Sequence, residues 1–61
     1  MTPLSLTVKA AAETTGLSEY EIRSAIDHEE LPAKRRGRRI LILSADLDAW
    51  LKGLPDARGA A

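Results

Sequence analysis

Apolar residues recur along this chain with two different periods, and the change of period divides it into segments. In "VKAAAETT", Val8, Ala11, Ala12 and Thr15 fall near one face of a helix. Thr7 stands where an N-cap belongs, and Gly16 ends the run with a residue that tolerates positive φ. The next segment, "LSEYEIRSAIDHEEL", opens on the strongest local signal in the chain. Ser18 and Glu21 have the spacing of a capping box, and Leu17 and Ile22 that of a hydrophobic staple. Ile22, Ala25 and Ile26 then share a core-facing stripe with Glu29 at its end, leaving Glu19, Tyr20, Arg23, Ser24 and Asp27 facing outward. Only Gly16 and Leu17 separate the first helix from this cap, which predicts a tight helix-turn-helix connection.

Pro32 is expected to stop the tail of the second helix, and after it the period falls to two. "AKRRGRRILIL" reads as two short strands around a glycine-containing turn, either Arg36-Gly37 or Gly37-Arg38. Both pairings put Lys34, Arg36, Arg39 and Leu41 on one face and Ala33, Arg35, Ile40 and Ile42 on the other, the second set being the expected core face. Ser44 is read as the cap of a last helix, "ADLDAWLKG", with Asp46 in its first turn, Lys52 in its last, and Gly53 and Pro55 ending it. Pro3 keeps the start extended, so residues 1–5 are a lead-in, 6–54 the folded domain and 55–61 a disordered tail. The expected class is mainly α with a small two-stranded antiparallel hairpin. Its expected core is Val8, Ala11, Leu17, Ile22, Ile26, Leu31, Ile40, Ile42, Leu47, Trp50 and Leu51.

Length and composition narrow what such a fold can do. A chain of 61 residues holds one domain, whose core is small. It has no cysteine and a single histidine, His28, so neither a disulfide nor a cysteine- or histidine-rich metal site is expected. No Ser/His/Asp set or phosphate-binding loop can be assembled, and the chain is short for enclosing a substrate cleft. Catalysis, cofactors and a small-molecule substrate are therefore not expected, and His28 reads as a partner of the second helix's C-terminal dipole. With no leader-like start and no long apolar run, a cytoplasmic protein without a membrane partner is the expectation.

Charge changes the picture more. The chain is neutral overall, yet residues 1–33 carry two cations and six carboxylates, residues 34–39 five cations, and residues 40–61 two cations and three carboxylates. Lys34, Arg35, Arg36, Arg38 and Arg39 surround Gly37. Five like charges repel one another, so a folded neutral protein gains nothing internally by clustering them, and the cluster points to a polyanion. Arginine on a narrow hairpin can neutralise phosphates and enter a narrow minor groove. A basic run of this kind would equally suit RNA or an anionic membrane surface, and its plainest reading is a solvated loop.

The order of these pieces resembles the small excisionase-type, MerR-like winged-helix domains of phages and bacteria. The matching pieces are Leu6-Thr7-Val8, Ala11-Ala12, Gly16 with Ser18, Glu30-Leu31-Pro32, Gly37-Arg38-Arg39, Asp46-Leu47 and Ala49-Trp50-Leu51. No piece is specific alone, whereas their order and spacing over residues 6–53 are. The resemblance implies a winged helix-turn-helix that binds double-stranded DNA, with the second helix in the major groove and the hairpin as a wing on the adjacent minor groove or backbone. It implies an excisionase of a bacterial host cell that binds and bends attachment-site DNA, self-associates along it and directs a tyrosine integrase toward excision. A small winged-helix transcriptional regulator would use the same surface. A protein-interaction module docking its basic wing on an acidic partner is a third reading, which the acidic second helix favours.

Within the second helix Glu19, Tyr20, Arg23 and Ser24 are the candidate DNA contacts, and in the wing Lys34, Arg35, Arg36, Gly37, Arg38 and Arg39. Arg23 suits guanine or phosphate, Tyr20 a phosphate, base or sugar, and Glu19 a cytosine amine. The plain alternative for Arg23 is an ion pair with Glu19 or Asp27. Thr7 and Ser18 can hold phosphates at helix N-termini or simply cap them. Leu41 departs from the family pattern, which often has a basic residue there. It reads either as a side chain packed on arginine stems or as a contact to another protein.

Overall fold

The computed structural model describes residues 3–57. Its elements are β1 (Ser5–Leu6), α1 (Val8–Thr15), α2 (Glu19–Asp27), β2 (Lys34–Arg36), β3 (Arg39–Leu43) and α3 (Ser44–Lys52). Three helices and a small antiparallel sheet thus make a winged helix-turn-helix. Residues 1–2 of the expected lead-in and 58–61 of the expected tail lie outside the described residues.

The helix-turn-helix forms as its caps dictate. Thr7 Oγ1 accepts from the Ala10 N–H at 3.1 Å, which satisfies a donor that α1 itself cannot. Gly16, at φ 79°, ends α1 and donates to the Ala12 carbonyl at 2.9 Å. Ser18 and Glu21 then exchange both capping bonds, Glu21 N–H to Ser18 Oγ at 3.1 Å and Ser18 N–H to Glu21 Oε1 at 3.2 Å. Ile22 is completely buried and half-buried Leu17 packs on the same core, as a hydrophobic staple requires.

The end of α2 differs from expectation. The helix stops at Asp27, well before Pro32, because Glu29 takes a left-handed conformation at φ 60°. The Glu30 N–H donates back to the Ala25 carbonyl at 2.8 Å and the Glu29 N–H to Ile26 at 3.0 Å, the two bonds of a Schellman motif. That turn aims Leu31, 1% exposed, into the core.

The hairpin pairs Lys34 with Leu41, Arg35 with Ile40 and Arg36 with Arg39, which settles the turn as Gly37-Arg38. Of these two central residues only Gly37 has positive φ, at 61°, as a type II′ hairpin turn requires. Ile42 is buried and Leu43 partly exposed, as parity demands, but Arg35, expected on the core face, is exposed, because its charged head stays in water, and Ile40 and Leu41 are both half-buried.

The sheet has a third strand that the chain's pattern does not announce. β1 pairs with β3, Ser5 opposite Leu43 and Leu6 opposite Ile42, giving the order β1-β3-β2. The expected Ser44 cap is corrected by the same contact. β3 runs directly into α3, whose start has no side-chain cap, because the Ser44 hydroxyl donates to the Pro3 carbonyl instead. The Ser44 N–H donates to the Leu4 carbonyl at 3.0 Å.

Val8, Ala11, Ala12, Ile22, Ala25, Leu31, Ile42 and Leu47 form the core. Leu17, Ile26, Ile40 and Trp50, expected inside, are half-buried and pack against it. Leu51 is half-buried as well. No polar or charged residue is buried among the described residues, so apolar burial from every helix and from β3 holds the domain together.

Replacing Glu29 by glycine removes the cost of a side chain in the left-handed region, partly offset by the freer unfolded chain. The expected result is a gain of about 0.5–1 kcal/mol, or roughly 3–6 °C in Tm by circular dichroism. A Tm unchanged or lowered would show that Glu29 carries no backbone strain.

Candidate nucleic-acid interface

The wing projects its charge without neutralising it. Lys34, Arg35, Arg36, Arg38 and Arg39 are all exposed, and Arg35 is exposed although it stands opposite half-buried Ile40. The described residues contain two ion pairs, Arg23–Glu19 at 3.6 Å and Lys52–Asp48 at 3.0 Å, and neither involves the wing. Uncompensated cations on a slim hairpin set up a local positive field that attracts a polyanion.

Arg38 and Arg39 line an open groove of about 270 Å³ together with Glu19 and Arg23 of α2. Thr7 and Lys9, from the start of α1, line it as well. Three separate stretches of chain therefore contribute cations to one concave surface, against the single carboxylate of Glu19. Glu19 and Arg23 are one helical turn apart, and their pairing carries little energy at this exposure. Arg23 is free to exchange that partner for a phosphate or a base edge at small cost.

The four candidate residues of α2 do not act from one place. Glu19 and Arg23 line the groove beside the wing, while Tyr20 and Ser24 line a cleft on the opposite flank, next to α3. Asp27 forms no ion pair with Arg23, which is paired to Glu19. Ser18 is occupied by its cap, since its hydroxyl also donates to Glu21 Oε1 at 3.2 Å. Thr7 accepts from Ala10 but keeps its hydroxyl proton and lies in the groove. His28 Nδ1–H donates to the Ser24 carbonyl at 2.7 Å, as befits a helix C-terminus.

Lys9 is the residue that the sequence pattern did not single out. It lies on the exposed side of α1 in the same groove as Arg38 and Arg39. An isolated lysine among alanines carries no signal, and only the fold brings it beside the wing. Among the described residues no group of His, Cys, Asp and Glu is placed to hold a metal ion, and no helix is long and apolar enough to cross a membrane.

A helix-turn-helix whose second helix shares a cationic groove with a hairpin wing defines a DNA-binding protein of the winged helix-turn-helix class. Comparison with known families agrees: residues 5–55 match the helix-turn-helix domain family, and the chain belongs to it. No curated protein and no solved structure matches the chain.

If Lys9 neutralises a phosphate, Lys9→Ala lowers the magnitude of the log K against log salt slope by about 0.9. Its Tm should not move, because the side chain is exposed. A salt slope equal to that of the parent chain would remove Lys9 from the interface.

Proposed function

We propose that the chain is an excisionase-type protein that binds and bends attachment-site DNA. In this reading α2 enters the major groove and the β2–β3 wing reaches the adjacent minor groove or backbone. Several copies bind side by side, and the assembly directs a tyrosine integrase toward excision of a mobile element. The chain performs no covalent chemistry itself and works in the cytoplasm, where its DNA is. The single observation that carries the DNA-binding geometry is the shared groove, in which Lys9, Arg23, Arg38 and Arg39 face the same space from three elements. The order and spacing of the excisionase-like pieces support the finer role.

The acidic α2 shapes the expected affinity. Glu19 repels phosphate and is tolerated where it accepts a hydrogen bond from a base amine, such as that of cytosine. Attraction therefore comes chiefly from the wing, and one copy on one site binds weakly. Bound copies in tandem gain from one another's presence.

A gel-shift titration on an attachment-site fragment should give several stepwise bands. With about five phosphate contacts the slope of log K against log salt is about −4.5, so affinity falls roughly 500-fold from about 50 to 200 mM salt. The Arg36→Ala, Arg38→Ala, Arg39→Ala triple variant should weaken binding to every sequence and flatten that slope by about 2.7. Arg23→Ala should instead change the preference among sites. No binding to any duplex near physiological salt, or binding indifferent to salt, would sink the reading.

A further inference from the structure

The cleft between α2 and α3 lies outside the groove that faces DNA. It is open, about 250 Å³ in volume, and walled by Leu17, Trp50, Leu54 and the ring of Tyr20. Tyr20 is 80% exposed and Trp50 half-buried, so both rings are within reach of a ligand. Glu21 and Glu30 edge the cleft, and among the described residues no cation lines it. Glu21 uses Oε1 for the capping box, where it accepts from the Ser18 N–H and hydroxyl. Neither carboxylate belongs to an ion pair of the described residues.

This combination selects a chemical class. Aromatic faces attract organic cations through the ring quadrupole, and carboxylates attract them by charge-assisted hydrogen bonds. The leucines and the indole favour methylene groups, which gain by leaving water. An anionic ligand would be repelled. The helix rises ~9 Å between Glu21 and its end at Asp27, and Glu30 follows that end, tied by its N–H to the Ala25 carbonyl. One small ion at the edge therefore meets one carboxylate, whereas a linear chain carrying several ammonium groups meets both. The chain's own cations are engaged elsewhere. Arg38 and Arg39 line the groove on the other flank of α2, and Lys52 pairs with Asp48 at 3.0 Å.

We propose that the α2–α3 cleft binds a linear aliphatic polyamine. Its ammonium groups meet Glu21 and Glu30, and its methylenes lie on Leu17, Trp50 and Leu54. Tyr20 covers the bound chain from the solvent side of α2. Exposed ion pairs are individually weak, so affinity comes from the charges and the apolar contacts together. Binding needs no DNA, since none of these residues lines the groove. Once occupied, the cleft loses the acidic edge that sets this flank of α2 against phosphate.

Trp50 is the only tryptophan of the chain, so its fluorescence reports on the cleft. Spermidine is titrated into the full chain without DNA, at low and constant ionic strength, and NMR shifts are followed alongside. A saturable change should appear, shared by Trp50, Glu21 and Glu30, with a midpoint on the order of 1 mM. The Glu21→Gln, Glu30→Gln double variant should raise that midpoint several-fold, and glutamine at 21 keeps the capping box. Glu30→Gln alone, which lies outside the cap, replaces it if circular dichroism shows the double variant unfolded. Butylamine, with one ammonium group, should bind several-fold more weakly than spermidine. A parent-like midpoint in the glutamine variant, the same shifts on adding magnesium at equal ionic strength, or no shift well above the expected midpoint overturns the proposal. A lysine–leucine peptide that saturates the cleft when spermidine does not would assign it to a protein segment and overturn the polyamine. With no DNA present, none of these outcomes bears on the DNA-binding reading.

Discussion

The position of the wing beside the second helix depends on one cluster of fully buried side chains. Ile22 comes from α2, Leu31 from the segment after it and Ile42 from β3. Each is drawn from a different stretch of chain, so their mutual burial sets the angle between helix and hairpin. Leu31 reaches the cluster only because the chain turns left-handed at Glu29 and ties two successive N–H groups, of Glu30 and Leu31, to the Ala25 carbonyl. Losing that turn would withdraw Leu31 from the cluster and weaken the packing that holds the wing beside α2. Deleting any of the three side chains would cost several kcal/mol, a large share of the stability of so small a domain.

Around this cluster the charges separate. Among the described residues the cations of the wing form no ion pair with the carboxylates of α2 and its tail. The described ion pairs are both local to one helix and tie no element to another. Electrostatics therefore contributes little to the fold, and the uneven charge is available for partners. A neutral chain becomes a molecule with a cationic groove on one flank of α2 and an acid-edged apolar cleft on the other.

Most of this architecture is legible in the sequence where the signals are local. The capping box at Ser18, the glycine at 16 and the parity of the hairpin each follow from a few adjacent residues. What escapes is nonlocal. Ser5 and Leu6 form a strand because Leu43 and Ile42 stand opposite them, and nothing within a two-residue segment shows this. Ser44 has the composition of a cap, yet its hydroxyl finds Pro3 across the sheet. Glu29 occupies a position that usually announces itself with glycine. In the candidate interface, helical spacing puts Glu19, Tyr20, Arg23 and Ser24 on the outward side, but only the placement of the wing and of α3 divides them between two flanks. Lys9 joins the interface for the same reason.

The central claim is that α2 and the wing engage one duplex together. Amide and side-chain NMR shifts followed during addition of duplex test it most directly. The account predicts that Lys9, Glu19, Arg23, Arg38 and Arg39 shift along a common titration curve that weakens as salt rises. Shifts confined to the wing, with Lys9, Glu19 and Arg23 unmoved, would contradict it.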